Sequence, residues 1–447
     1  MMARSVFFGV GLFLVLLGGS VCAQHTLPET QERVIHYDAS AGLGDPVAEL
    51  QRHLDDGTAT LKFEKGRGYL GSLLDALRVR VSSQSLVFSK TSSQRDYTSP
   101  KTPRAIYFAD DVYVGWGQDG PLIDLAAVDP DRGPIFYTLE QNPLQPPHFT
   151  RRKDCIECHL NNKTLGVPGF LVRSVYTDSN GVPLASVSDF VSGHSSPLRV
   201  RWGGWYVSGT HFRPGSASAA ESAGELHLGN TFATDPEHPE RLDPLLGANV
   251  TDLRSRFDTA PYLSPHSDLV ALLVLEHALR MQNLITVANY ETRCALDEER
   301  ARPETAAACV AGSRGWPEQR IALAGEMLLE YLLLRSEAPL LGPVEGSSRF
   351  AAEFGNDGPC DSQGRSLRQL DLKTHLFRYP CSFLIYSASF DALPEEMRTF
   401  LWRRLAQVLS GQDRSETYAS LTAQDRQSVL EILRETKPEF AAFLQSY

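Results

Sequence analysis

From residue 24 to about residue 150, short apolar runs alternate with clusters of turn-forming residues. Residues 86–88, 104–108, 112–116, 122–128 and 134–139 have the length and the β-branched and aromatic content of strands. Asp110-Asp111, Gln118-Asp119-Gly120 and residues 129–133 separate them, and these residue types favour tight turns. The expected product is an antiparallel meander, preceded by a short amphipathic helix over residues 68–77. Further on, runs at 170–176 and 182–187 flank Asp178-Ser179-Asn180-Gly181, whose Asn-Gly step signals a hairpin. Pro183 assigns the second run to a sheet edge. A second hairpin is expected between residues 202–210 and 226–232, across a mobile Ser/Ala/Gly-rich loop at 215–224.

After residue 266 the period becomes helical. One long apolar helix is expected over 268–289 and another over 319–335. Pro394 opens a third that runs to Gly411, and Thr422-Ala423-Gln424-Asp425 reads as a capping box. Glu276, Arg280, Asn283 and Val287 share a face of the first helix, with His277 beside them and Met281 four residues further on. That stripe reads as a Glu276–Arg280 pair with satisfied neighbours, or alternatively as a polar wall beside a cofactor. The fold class is α+β: antiparallel, β-rich N-terminal and central parts followed by a mainly helical C-terminal part. The expected segments are 1–23, 24–150, 151–265 and 266–447.

Arg4, an apolar run over residues 6–17 and Val21-Cys22-Ala23 have the layout of a cleavable export signal covering residues 1–23. After its removal no span of the membrane is expected, and the predicted location is periplasmic or secreted. With 43 basic against 54 acidic residues, a formal charge of −11, nothing suggests a nucleic-acid surface. There is no Gly-x-Ser-x-Gly elbow and no phosphate loop of the Gly-x-x-x-x-Gly-Lys-Ser/Thr form.

The chemistry concentrates in Cys155-Ile156-Glu157-Cys158-His159. Two thiols three apart followed directly by an imidazole form the attachment signature of a covalently bound haem. A disulfide or half of a zinc site is the competing reading, but no second Cys/His pair has suitable spacing. Over these five residues the chain resembles c-type cytochromes. The resemblance implies one haem c, thioether links through Cys155 and Cys158, His159 as proximal iron ligand, and attachment after export. It does not extend to the small-cytochrome fold. Three prolines within residues 141–148 forbid a long helix just upstream, and Met281 is 122 residues beyond His159.

Candidates for a distal ligand are His148, His194, His211, His227, His277 and Met281. His211 is favoured, because the preceding Trp202-Gly203-Gly204-Trp205-Tyr206 run offers rings to cover a porphyrin and glycines for close approach. The remaining cysteines of the exported chain, Cys294, Cys309, Cys360 and Cys381, suggest disulfides in an oxidising compartment, with Cys294–Cys309 and Cys360–Cys381 preferred. The resulting expectation is an exported monohaem electron carrier working with a redox partner protein. Its alternatives are a haem enzyme with an open distal site (peroxidase-like, or reducing a small oxide) and a haem-based gas sensor.

Overall fold

The computed structural model describes residues 26–187, 189–211, 226–235, 237–238, 243–301 and 315–447. The expected export signal, the loop at 215–224 and Cys309 lie outside them.

Three short helices, α1 (Glu29–Ile35), α2 (Pro46–Asp55) and α3 (Leu70–Ala76), precede the sheet. Asp45 opens α2, its carboxylate accepting from the Val47 and Ala48 N–H groups at 3.0 Å. The meander follows as β1 (Ser85–Val87), β2 (Arg104–Phe108), β3 (Val112–Trp116), β4 (Leu122–Asp129), β5 (Gly133–Glu140) and β6 (Phe149–Arg151). The next elements are a one-turn helix, α4 (Ile156–His159), then β7 (Arg173–Ser174), β8 (Phe190–Val191), β9 (Trp205–Tyr206) and β10 (Gly209–His211). Every ladder of the main sheet is antiparallel, in the order β6-β5-β4-β3-β2-β1-β9. The haem-motif segment therefore leaves from one edge of the sheet and rejoins it at the other.

Alternation on the strands separates two faces. Ala105 and Tyr107 on β2, and Ile123, Leu125 and Ala127 on β4, are buried; Arg104, Ile106, Asp124 and Ala126 between them are only half-buried. One face is thus closed by the core and the other stays partly open.

Helix α5 (Leu269–Ala301) is the central strut, about 50 Å long at 1.5 Å per residue. Its most apolar stretch has mean hydropathy 1.3, enough by length and composition to cross a membrane, but 94% of that stretch is buried within this fold. Asp268 starts it by accepting from the Val270 and Ala271 N–H groups at 2.8 and 3.1 Å. α6 (Trp316–Leu332) packs along α5, followed by β11 (Val344–Gly346), α7 (Phe350–Gly355), α8 (Ala388–Asp391), α9 (Glu395–Leu409), α10 (Ala423–Thr436) and α11 (Pro438–Ser446). The Thr422–Asp425 capping box forms as expected. This is an α+β fold with a helical C-terminal part. One continuous apolar core runs from Leu27 to Phe440 and takes in residues of all three segments expected beyond residue 23.

The Asn-Gly hairpin forms in part. Residues 178–181 turn, Thr177 bridges Pro183 and the Leu184 N–H donates to the Tyr176 carbonyl, whereas β7 pairs with β8, beyond the expected second run. The second expected hairpin does not form. β9 joins β1 and β10 joins β11, while residues 226–232 attach by isolated bonds, Leu228 N–H to Arg201 O and Asn230 N–H to Trp205 O. Long-range partners won over the local one.

Candidate functional site

Helix α4 is closed by the His159 N–H donating to the Cys155 carbonyl at 3.1 Å and the Leu160 N–H to that of Ile156 at 2.9 Å. In one helical turn the positions i, i+3 and i+4 share a side. Cys155, Cys158 and His159 therefore point one way, while Ile156 is buried in the core. Cys158 is exposed, Cys155 and His159 are half-buried, and neither sulfur is in a disulfide. Burial pushes the Cys155 thiol up to about 11, so it is not a thiolate at neutral pH, the form a metal ligand would need.

The chain then doubles back. Asn161 accepts from the Lys163 N–H at 2.7 Å and its own N–H donates to Thr164 Oγ1 at 2.9 Å. Leu165 and Gly166, at φ 67° and 75°, complete the reversal. Gly169 arrives with its N–H on the His159 carbonyl at 2.8 Å and its own carbonyl 2.8 Å from His159 Nδ1. A carbonyl only accepts, so Nδ1 carries the proton and Nε2 keeps a lone pair. None of the described residues hydrogen-bonds Nε2. Burial holds the imidazole below its ordinary pKa, which keeps it neutral at pH 7. A neutral imidazole anchored through Nδ1 and open at Nε2 is the form that ligates a metal.

A second layer fixes Gly169. Asn283 on α5 accepts from the Phe170 N–H at 2.8 Å and donates to the Phe170 carbonyl at 2.9 Å. A Cβ on residue 169 would lie 2.8 Å from both Asn283 Oδ1 and Thr164 Cβ, so only glycine fits. Phe170 packs on Tyr113 with ring centres 4.6 Å apart, and the His159 ring sits 4.6 Å from Phe136 of β5. The motif thus rests on the partly open face of the sheet. Next to Phe136 on that face, Asp124, Gly115 and Ile106 stand side by side on β4, β3 and β2, and Arg104 Nη2 donates to Asp124 at 2.8 Å.

The other histidines lie elsewhere. His194 Nε2 is 3.3 Å from the Arg335 carbonyl, His194 Nδ1 is 2.9 Å from His277 Nδ1, and His277 Nε2 is 2.7 Å from Ser382 Oγ. Following the protons from the carbonyl, His194 Nδ1 accepts, His277 Nδ1 donates and the Ser382 hydroxyl donates to His277 Nε2. Burial keeps both rings neutral, His194 at a pKa of about 3, and no lone pair is left for iron. Glu276 pairs with Arg201 at 2.6 Å in the interior, not with the expected Arg280. Arg280 reaches outward to the Lys163 carbonyl. Met281 is fully buried, and His148 is exposed just ahead of β6.

The structure does not bring His211 to His159. No hydrogen bond or ring contact joins them. His211 on β10 is 2% exposed and packs 4.7 Å from the His227 ring, which in turn lies 5.2 Å from Trp202. His211 Nε2 and His227 Nδ1 are both buried without a hydrogen-bond partner, and burial lowers His211 to about 4 and His227 well below the usual value. β10, the strand that carries His211, pairs with β11 and with none of the strands next to the motif.

Cys360 and Cys381 are free rather than bonded to each other, one exposed and one buried, and Cys294 is a buried free thiol. Among the described residues no three His, Cys, Asp or Glu side chains converge as a metal site. What sequence reasoning missed is the support of His159: Gly169 and Asn283, far apart in the chain, with Asn283 visible only as a polar residue on an apolar helix. No protein-family model, curated protein or solved structure matches this chain.

Proposed function

We propose that the chain carries a single haem c, joined by thioethers to Cys155 and Cys158, with iron on His159 Nε2, and that it transfers electrons outside the cytoplasm. The observation that carries this reading is the commitment of His159 Nδ1 to the Gly169 carbonyl beside two unbonded sulfurs on the same helical turn. When bound, the haem supplies reversible one-electron chemistry at iron. The protein's part is to hold. Gly169 sets the imidazole tautomer and orientation, Asn283 keeps Gly169 in place, and Phe136 backs the ring. The export-type leader agrees with attachment after translocation. A redox partner protein follows from electron transfer.

A second reading, a haem enzyme or gas sensor with an open sixth position, is favoured by one set of contacts. His194 and His277 have both nitrogens occupied, and His211 and His227 pack on each other.

Protein matured in a host equipped for cytochrome assembly tests both. The expected results are a peroxide-staining band after denaturing electrophoresis and one haem per chain; loss of covalent haem is expected in Cys155→Ala/Cys158→Ala. An unstained wild-type band would sink the proposal. A low-spin spectrum indifferent to carbon monoxide and cyanide supports electron transfer, and ready cyanide binding supports the second reading.

A further inference from the structure

Resting on the haem reading, we infer that Arg104 is the anchor for a haem propionate. Arg104 stands at the start of β2, on the partly open face of the sheet. Its guanidinium reaches across β3 to Asp124 on β4. It lies over Gly115, where a Cβ would come within 2.1 Å of Nη2. The absent side chain at position 115 is what lets it lie there.

Two features distinguish this from an ordinary structural ion pair. Only Nη2 of Arg104 is bonded, to Asp124 Oδ2, and Nε is buried without an acceptor. A guanidinium has five N–H donors in a fork that suits two carboxylates at once, so the group is under-used. The Asp124 carboxylate is also already engaged by Gln94 Nε2 at 2.7 Å on the same oxygen. The second feature is position. Asp124 is opposite Thr138, two residues along β5 from Phe136, and such diagonal neighbours are about 7–8 Å apart. Phe136 is the residue on which His159 rests. The Arg104–Asp124 pair thus lies one diagonal step from Phe136, the ring that His159 packs on, with Ile106 and Ala126, both half-buried, offering apolar contact on the same face. An amphipathic plate with anionic substituents on one edge suits this arrangement, and haem is such a plate.

A rival cation on the motif's loop is Arg173, whose Nε donates to Asp189 at 2.8 Å, while Lys163 also binds Asp189. That carboxylate is shared by two cations in the solvent-exposed loop.

The test uses haem-loaded full-length protein and three variants: Arg104→Lys, Arg104→Leu/Asp124→Leu (which removes the pair together and leaves no lone carboxylate), and Arg173→Leu. Covalent haem per chain, the Soret circular dichroism and the midpoint potential are measured. The expected result is unchanged covalent haem in all. In the double variant the Soret dichroism should change and the potential should fall, because an uncompensated propionate favours ferric iron. Arg104→Lys should fall between, and Arg173→Leu should stay near wild type. If the double variant keeps the wild-type dichroism and potential, or if Arg173→Leu shifts them as much, the assignment to Arg104 is overturned while the haem reading stands. An unstained wild-type band would instead overturn both.

Discussion

Replacing Asn283 by alanine tests the support of the site directly. The side chain holds both backbone polar groups of Phe170, at 2.8 and 2.9 Å, inside the protein. Without it, a buried N–H and a buried carbonyl lose their partners, and each such loss costs about 1–3 kcal/mol. Alanine's better helix propensity returns about 0.6 kcal/mol. The net expectation is about 2–5 kcal/mol of lost stability. Urea unfolding followed by far-ultraviolet circular dichroism measures it, with an unchanged slope confirming that only stability moved. Asn289→Ala is the control. It lies on the same helix, is equally buried, and has a side-chain carbonyl without a partner, so its removal should cost no more than about 1 kcal/mol. In haem-loaded protein Asn283→Ala should also broaden or split the iron-ligand signature, because Gly169 no longer holds His159 Nδ1 in one place. Equal losses for the two alanine variants would refute the view that α5 fixes the motif.

Acid should destabilise the fold through its buried histidines. His194 and His211 are depressed to about 3 and about 4, and His227 and His277 lie well below the usual value, all through burial. The unfolded chain takes up these protons first as pH falls below about 6.5, so stability is full above that value and declines toward pH 4 at up to about 1.4 kcal/mol per pH unit for each ring. A urea midpoint that does not fall between pH 7.5 and 5.5 would contradict this. Arg201→Met leaves Glu276 without its cation in the interior and should cost about 3–5 kcal/mol, with much of the loss recovered in Arg201→Met/Glu276→Leu; a larger loss in the double variant would count against the pairing. His211→Ala should leave the visible spectrum of the haem-loaded protein unchanged, and conversion to high spin would restore His211 as an iron ligand.

The strands from β2 to β5 were legible because they are runs of apolar and aromatic residues separated by Asp- and Gly-containing turns. Residues 104–108 and 112–116 form strands at the expected bounds. The capping box at Thr422 was equally local. Legibility stopped where distant segments compete. Residues 202–210 have the pattern of a strand, but nothing within the run says that β1, 118 residues upstream of Trp205 at Val87, outcompetes the neighbouring 226–232. The polar stripe on α5 was visible, and its reading as satisfied side chains holds for His277 and Asn283, while Glu276 pairs with Arg201 in place of Arg280; the partners Arg201, His194 and Ser382 come from separate loops. The expected helix over 268–289 runs on to Ala301, since α6 packs along it and buries Cys294 and Ala295 in a stretch that otherwise looks polar. Of the site itself, the motif gave Cys155, Cys158 and His159, while the role of Gly169 depends on a chain reversal and on Asn283, 114 residues further on.

The return of the chain to β9 ties completion of the sheet to its chemistry. Between β6 and β9 the chain must cross six strand spacings, about 29 Å, as a strap that carries the motif. The pairing of Leu86 and Val87 with Tyr206 and Trp205 is the most distant in sequence of any ladder in the main sheet. Contacts of such long separation form slowly, so the edge at β9 is expected to close after the meander.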